Sequence, residues 1–320
     1  MYTVDPSLAK IAETELDVFP LCLGGNVFGW TAPDPDAVLD AYVAAGGNFI
    51  DTADTYGARV PGAARSETII GDWMVRRGNR DSLVLATKVG AWSERKGLRA
   101  DNIHAAIDDS LRRLQTDHVD LYYAHIDDEE TPLEETLGAF GELIRAGKIR
   151  HAAASNYTAA RLAEALELAD RDPALARYVA LQPHYNLVER EVYEGELQEL
   201  CEREGLACIP YFALAKGFLS GKYRPGGAAV DSPRAERALT YLDERGGAVL
   251  ELLDEIAAAH DTTVAAVSIS WLRMQPTVVA PIASARNPEQ LSESLPGATL
   301  ELTPDELDRL SGAAAYSEQS

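Results

Sequence analysis

Cations and cysteines are what this chain has little of. Its 320 residues carry 29 Lys and Arg against 51 Asp and Glu, a formal net charge of -22. Binding to phosphate backbones or anionic lipid surfaces depends on clustered Lys and Arg, so this balance argues against nucleic-acid and membrane partners. The three cysteines, Cys22, Cys201 and Cys208, are odd in number, show no CxxC spacing and fall in apolar or helical stretches. That excludes a disulfide framework and speaks against a zinc site. No window reaches the ~18 apolar residues of a membrane span. The first residues, MYTVDPSLAKIAETELD, lack a basic stretch followed by an apolar one. A cytoplasmic, unprocessed chain is expected, with its oligomeric state open.

Nucleotide and metal signatures are missing too. GGNVFG (Gly24 to Gly29) does not have the GxGxxG order of a Rossmann pocket. GFLSGKY (Gly217 to Tyr223) has the spacing GxxxGK and puts Tyr223 where a P-loop needs a Mg²⁺-binding Ser or Thr. There is no HxH or HExxH pair. His125, Asp127, Asp128, Glu129 and Glu130 do cluster, which leaves a metal-dependent barrel hydrolase as an alternative, although such charge runs are ordinarily solvated loops.

What is present is alternation. Eight short apolar runs read as strands: Pro20 to Gly24, Asn48 to Asp51, Leu83 to Val89, Val119 to His125, Arg150 to Ser155, Ala180 to Tyr185, Ala207 to Phe212 and Val278 to Ala283. Helical patterns separate them: Pro35 to Ala45, Glu67 to Arg77, Arg99 to Leu114, Pro132 to Ala146, Thr158 to Asp170, Val192 to Glu204, Gly247 to His260 with Val264 to Arg273, and Pro288 to Leu295. Each helical crossover returns the chain in the same direction, so the strands pair in parallel, and eight units favour a closed barrel over an open sheet. The expected fold is α/β: a (β/α)8 TIM barrel with an extra C-terminal helix, Thr303 to Ala314. No linker divides it, so one domain over 1–320 is expected. Two segments, Ala58 to Arg65 and Lys216 to Gly246, fall outside the repeat and follow strand ends, where they would cover the face that carries chemistry in such barrels.

The stretch NFIDTADTYG shows why that face matters. Asp51 ends the second strand with Tyr56 just beyond it, Lys88 sits in the last turn of the third, and His125 ends the fourth. Ser155 and Asn156 end the fifth, Gln182 lies in the sixth and Tyr211 ends the seventh. Singly, each has a structural explanation, such as a snorkelling lysine or a capping aspartate. Together, the first four make a proton-donating device. A lysine in a strand buried on both faces needs a carboxylate partner, here Asp51, and its charge would lower the pKa of a neighbouring phenol from ~10. Tyr56 would then protonate an oxygen gaining negative charge, with His125 orienting that oxygen or sharing the proton.

From Leu16 to Ala313 the chain closely resembles the aldo-keto reductase superfamily. The likeness is carried by IDTADTYG (Ile50 to Gly57) with Ser66-Glu67, ATKVG (Ala86 to Gly90), DLYYAHIDD (Asp120 to Asp128), ASN (Ala154 to Asn156), QPHYNLVERE (Gln182 to Glu191), LAKGFLSGKY (Leu214 to Tyr223) and ARNPEQL (Ala285 to Leu291). The resemblance implies reduction of an aldehyde or ketone with NADPH, or less often NADH, and a catalytic set of Asp51, Tyr56, Lys88 and His125 with Tyr56 as general acid. It further implies Ser155, Asn156 and Gln182 on the nicotinamide carboxamide, and Tyr211 stacked on the ring. Lys222 and the backbone of Leu214, Lys216 and Gly217 would meet the pyrophosphate, and Ser284, Arg286, Gln290 and Glu293 the adenosine end, with Arg286 against a 2'-phosphate. Gly25 and Asn26 would line the site, and Trp30 and Trp92 are candidates for the substrate pocket, Trp92 equally for packing beneath the loop.

The chain departs from the family pattern in a longer stretch between Gly57 and Ser66, in Phe212-Ala213 after the stacking aromatic, and at Ser284 and Ser294. The superfamily also contains regulatory subunits that keep the cofactor site with little turnover, a further alternative, which a turnover assay decides.

Overall fold

The computed structural model describes residues 8–58, 60, 65–227 and 234–315. Eight strands form one parallel sheet in the chain order expected for a barrel. They are β1 (Cys22–Gly24), β2 (Phe49–Asp51), β3 (Val84–Val89), β4 (Val119–Ala124), β5 (Ile149–Ser155), β6 (Tyr178–Gln182), β7 (Ala207–Cys208) and β8 (Ile282–Ala283). β8 pairs with β1, and the ring closes between β7 and the segment leading into β8: Cys208 N–H donates to the Thr277 carbonyl at 2.8 Å and Val279 N–H to the Cys208 carbonyl at 2.9 Å. Most strands are shorter than their apolar runs, because parallel pairing stops where the chain turns outward to its helix; β5 is one residue longer, beginning at Ile149, and β6 begins two residues early, at Tyr178.

The helices are α1 (Pro35–Ala44), α2 (Ser66–Arg77), α3 (Ala100–Leu114), α4 (Leu133–Arg145), α5 (Ala159–Arg171), α6 (Glu196–Glu204), α7 (Ala235–Leu239), α8 (Glu244–Ala259), α9 (Val264–Arg273), α10 (Pro288–Ser294) and α11 (Pro304–Ala313). Their starts follow the capping residues in the sequence. Asp34, Thr158, Asp243, Thr263 and Asn287 each accept a first-turn N–H, and Thr303 and Glu306 form a reciprocal capping box. Gly78 and Gly205 end α2 and α6 in the left-handed conformation. α2 and α3 cross closely enough at Gly71 that any side chain there would collide with the backbone of Arg113 and Leu114.

Two apolar layers result. Residues facing outward from the strands, among them Ile50, Leu85, Tyr122, Ala154 and Leu181, pack on the helices. Those facing inward fill the barrel: Cys22, Phe49, Ala86, Leu121, Tyr123, Ala153, Ala180, Ile209 and Ile282. A hairpin absent from the sequence reading, Ala9–Lys10 paired antiparallel with Asp17–Val18, drives Ile11, Leu16 and Val18 into that inner cluster and stoppers the N-terminal end of the barrel. A second, Ala91–Trp92 with Arg95–Lys96, stands on the opposite rim after β3. No helix among the described residues is long and apolar enough to cross a membrane.

Candidate active site

Strand alternation delivers the site. Side chains along a strand face one side at every second residue. Extending each inward row by two positions toward the C-terminal end leads from Cys22 to Gly24, Phe49 to Asp51, Ala86 to Lys88, Tyr123 to His125, Ala153 to Ser155, Ala180 to Gln182, Ile209 to Tyr211 and Ile282 to Ser284. All of these except Lys88 line a single cavity of about 630 Å³, together with Tyr56. Lys88 lies fully buried beneath it.

The lysine uses its three protons at once. Nζ donates to Asp51 Oδ2 at 2.6 Å, to the Thr52 carbonyl at 2.7 Å and to Tyr56 Oη at 3.3 Å. Asp51 Oδ1 accepts from Gln182 Nε2 at 3.0 Å, and the rings of Tyr56 and His125 meet edge-on at 6.0 Å and 83°. Burial works against the Lys88 ammonium, but Asp51 and Tyr56 outweigh it and hold its pKa above the ordinary lysine value. The same burial raises Asp51, opposed by Lys88 and Gln182.

For Tyr56 the sequence expectation needs correcting. Lys88 does pull the phenol's pKa down, but desolvation is the larger effect and the net direction is upward. A sequence shows that a cation is near; it does not show how little water is. The phenol therefore keeps its proton until an acceptor arrives.

Asn156 joins three strand ends. In the left-handed conformation (φ 59°), which Asn tolerates, its Nδ2 donates to the His125 carbonyl at 2.9 Å and to Ser155 Oγ at 3.0 Å, while Oδ1 accepts from Tyr211 Oη at 2.8 Å. Ser155 Oγ in turn donates to the Gln182 carbonyl at 2.8 Å. Burial and then the nearby Tyr56 push the Tyr211 phenol up to about 12.

Away from this end the cavity is lined by a turn with unusual backbone and by cations. Phe212, Ala215, Lys216 and Gly217 all have positive φ, closed by Ala215 N–H to the Phe212 carbonyl and Gly217 N–H to the Leu214 carbonyl, both at 2.7 Å. Such strain persists where surrounding structure over-determines it, and it gathers at ligand sites. The Lys216 ammonium donates to Tyr241 Oη at 2.8 Å, which fixes the turn to the rest of the fold. Lys222, Arg234 and Arg286 converge on the groove: the Lys222 pKa is lowered, first by burial and then by Arg286. Ser284 Oγ donates to Asn26 Oδ1 at 2.7 Å, and Arg286 N–H to Gln290 Oε1 at 3.1 Å, with Glu293 on the same wall.

A model of the "Aldo/keto reductase family" matches residues 20–315. The chain belongs to the aldo/keto reductase family. Similar members include Protein tas of Escherichia coli (strain K12), 34% identical over 93% of this chain and 94% of its own length. Norsolorinic acid reductase stcV of Emericella nidulans is 31% identical over 91% of this chain and 76% of its own length. Aryl-alcohol dehydrogenase GME11368 of Pestalotiopsis microspora is 30% identical over 92% and 78%. The chain is thus an oxidoreductase of the aldo/keto reductase family, which generally takes NAD(P)H.

Within this family frame the structure moves two of the residues read from sequence and adds one. Gly24, not Gly25, borders the cavity. Cys22 faces inward, so its row continues to Gly24, where a side chain would collide with Ser284 Oγ and Ile282, while Gly25 turns toward Ser66. Trp92 does not line the cavity; its indole lies against Arg65 at 4.2 Å and Arg95 at 5.4 Å on the rim. Trp30 does line it, 45% exposed, with Arg234 over its ring at 5.4 Å. Arg234 was invisible in a long Gly- and Pro-rich segment, because no periodicity places a residue there. The rest of the Ala58 to Arg65 stretch lies partly outside the described residues. Two members of the acidic run after His125 are committed elsewhere: Asp127 pairs with Arg161 at 3.1 Å, and Asp128 accepts from Leu98 N–H and Thr131 Oγ1, each at 2.7 Å.

Proposed function

We propose that the chain is an NADPH-dependent reductase that converts an aldehyde or ketone to an alcohol, with Tyr56 as the general acid. The observation that carries this reading is a phenol hydrogen-bonded to a fully buried ammonium at the wall of a cavity whose far end gathers cations. The groove suits a dinucleotide phosphate. Gly24 lets Ser284 pack tightly against the wall, and mutual repulsion between Lys222 and Arg286 is the kind that a bound polyanion relieves.

In this reading Ser155, Asn156 and Gln182 hold the nicotinamide carboxamide and Tyr211 supports the ring face. Lys222 and the turn from Leu214 to Gly217 take the pyrophosphate. Ser284, Gln290 and Glu293 hold the adenosine, and Arg286 pairs with the 2'-phosphate, favouring NADPH over NADH. The bound reduced nicotinamide supplies a hydride for the carbonyl carbon. The carbonyl oxygen gains the displaced electron pair, and Tyr56 gives it a proton. Lys88 stabilises the phenolate left behind, Asp51 balances the lysine, and His125 orients the oxygen. The relatives named for norsolorinic acid and aryl alcohols, with the Trp30 indole at the mouth, support an aromatic carbonyl as the first substrate class to assay. Three free, buried thiols fit a reducing compartment such as the cytoplasm.

The test is Tyr56→Phe, which keeps the ring and deletes the proton. Carbonyl reduction should fall by ~10²-fold or more while NADPH still binds. Turnover that is unaltered, with NADPH tightly held, would sink the assignment.

A further inference from the structure

The ring of Tyr211 has two faces. Tyr211 borders the cavity; His184, which does not, stacks on its ring. The two rings are nearly parallel, 12° apart in plane with centroids 5.3 Å apart, and Phe212 closes on His184 edge-on at 5.4 Å and 78°. Backbone pairing fixes the stack: His184 and Tyr211 form a parallel bridge, and Tyr211 N–H donates to the Pro183 carbonyl at 3.0 Å. With Asn156 holding the phenol oxygen, the tyrosine is fixed at its edge by an amide and on its back by an imidazole.

We propose that His184 is the back layer of the nicotinamide platform, and that its charge state sets how strongly the platform discriminates between the oxidised and the reduced ring. The inference rests on the reading above, in which Tyr211 stacks on nicotinamide. An oxidised nicotinamide carries a positive charge and a reduced one does not. A neutral imidazole behind Tyr211 is indifferent to the difference, whereas an imidazolium one ring away repels the oxidised form alone.

The surroundings keep the imidazole neutral near neutral pH. Burial lowers its pKa, Glu189 from the turn after β6 opposes that, and Lys216 from the turn after β7 adds to it. His184 Nε2 is buried without a hydrogen-bond partner among the described residues, so no carboxylate holds a proton on that nitrogen. Tyr211 and Phe212 are its uncharged neighbours. Asp51, Tyr56 and His125 line the same cavity as Tyr211, as do Lys222, Arg234, Arg286 and Glu293, with Lys88 buried beneath. Proton uptake by His184 and binding of the oxidised dinucleotide therefore oppose each other, and relative affinity for NADP⁺ falls as pH drops through the His184 pKa. In the cell this would speed release of the oxidised product under acid conditions.

The experiment measures dissociation constants for NADP⁺ and for NADPH by quenching of intrinsic fluorescence from pH 8 down to pH 5, on the full chain and on His184→Phe. The ratio of the two constants cancels titration of the 2'-phosphate, which both share. In the unmodified protein the NADP⁺/NADPH ratio should rise by about 3- to 10-fold toward acid pH, and in His184→Phe, which keeps a stacked ring, that rise should be lost. A flat ratio in the unmodified protein overturns the proposal, as does an equal rise in the variant, which would hand the effect to His125 or Asp51. A proton NMR titration of the His184 ring needs no variant: its pKa should be lower with NADP⁺ bound than with NADPH bound, and equal values overturn the proposal. Binding of neither dinucleotide removes the functional reading and this inference together, whereas binding of both with a flat ratio removes this inference alone.

Discussion

Asp51 and Asp120 are both aspartates buried in barrel strands and paired with a cation, yet only one sits at a site. Asp120, near the start of β4, faces outward. It accepts from Arg80 at 2.8 Å and from Leu85 N–H at 2.8 Å, with Arg150 at 3.2 Å. Its cations reach water at the barrel's N-terminal edge: the Arg150 side chain is 46% exposed. Asp51 ends β2, faces inward, and shares a lysine with no water contact and a phenol that borders a cavity. A buried charge is therefore not itself the mark of function. What separates the two is whether the pair hands its charge to a group that can meet a ligand.

Substitutions can break this comparison. Lys88→Met should do the most damage, reducing carbonyl turnover by ~10²-fold or more and lowering stability by about 3–5 kcal/mol, because Asp51 is left in the interior without its partner. Turnover assays and urea unfolding read the two effects separately. Asp120→Ala should cost about 1–3 kcal/mol through the orphaned Leu85 N–H, while turnover per folded molecule stays the same; a large loss of turnover would mean that the two aspartates do not differ in role.

Asp54 sharpens the contrast as a third buried acid, with neither carboxylate oxygen hydrogen-bonded among the described residues. Burial, then Glu67, pushes its pKa to about 7. A folded-state pKa raised above the unfolded value stabilises at low pH, and that contribution is lost as pH climbs through the folded pKa. Asp54→Asn should therefore gain stability relative to the unmodified chain as pH rises from about 5 to about 8, by roughly 2 kcal/mol. Urea midpoints at the two pH values test it. The smallest effect expected is from Arg286→Ala, weakening NADPH by about tenfold and NADH hardly at all; equal weakening would count against a 2'-phosphate contact.

Much of the fold was legible because it repeats. Eight apolar runs alternating with amphipathic helices and clear caps leave little choice but a parallel barrel, and all eight strands formed where the runs lie. The hairpins at Ala9–Val18 and Ala91–Lys96 were missed because strands of two residues carry no periodicity, and α7 hid in a segment dominated by turn-forming residues. Within the site, residues that extend an inward row were readable in principle, and applying the same parity to Cys22 would have chosen Gly24 over Gly25. Arg234 and the stack of His184 behind Tyr211 were not readable, since both depend on how separate loops meet. Nor was the direction of the Tyr56 pKa, which turns on water exclusion rather than on which charges are near.

The hairpin that stoppers the barrel has a consequence for how the chain is built. Ile11, Leu16 and Val18 are synthesised long before Ala280 and Ile282, which share their inner cluster. These apolar groups must wait until the chain between has been made before their seat exists. Contacts so distant in sequence are slow to close, so the plug cannot complete its seat before the eighth strand is made.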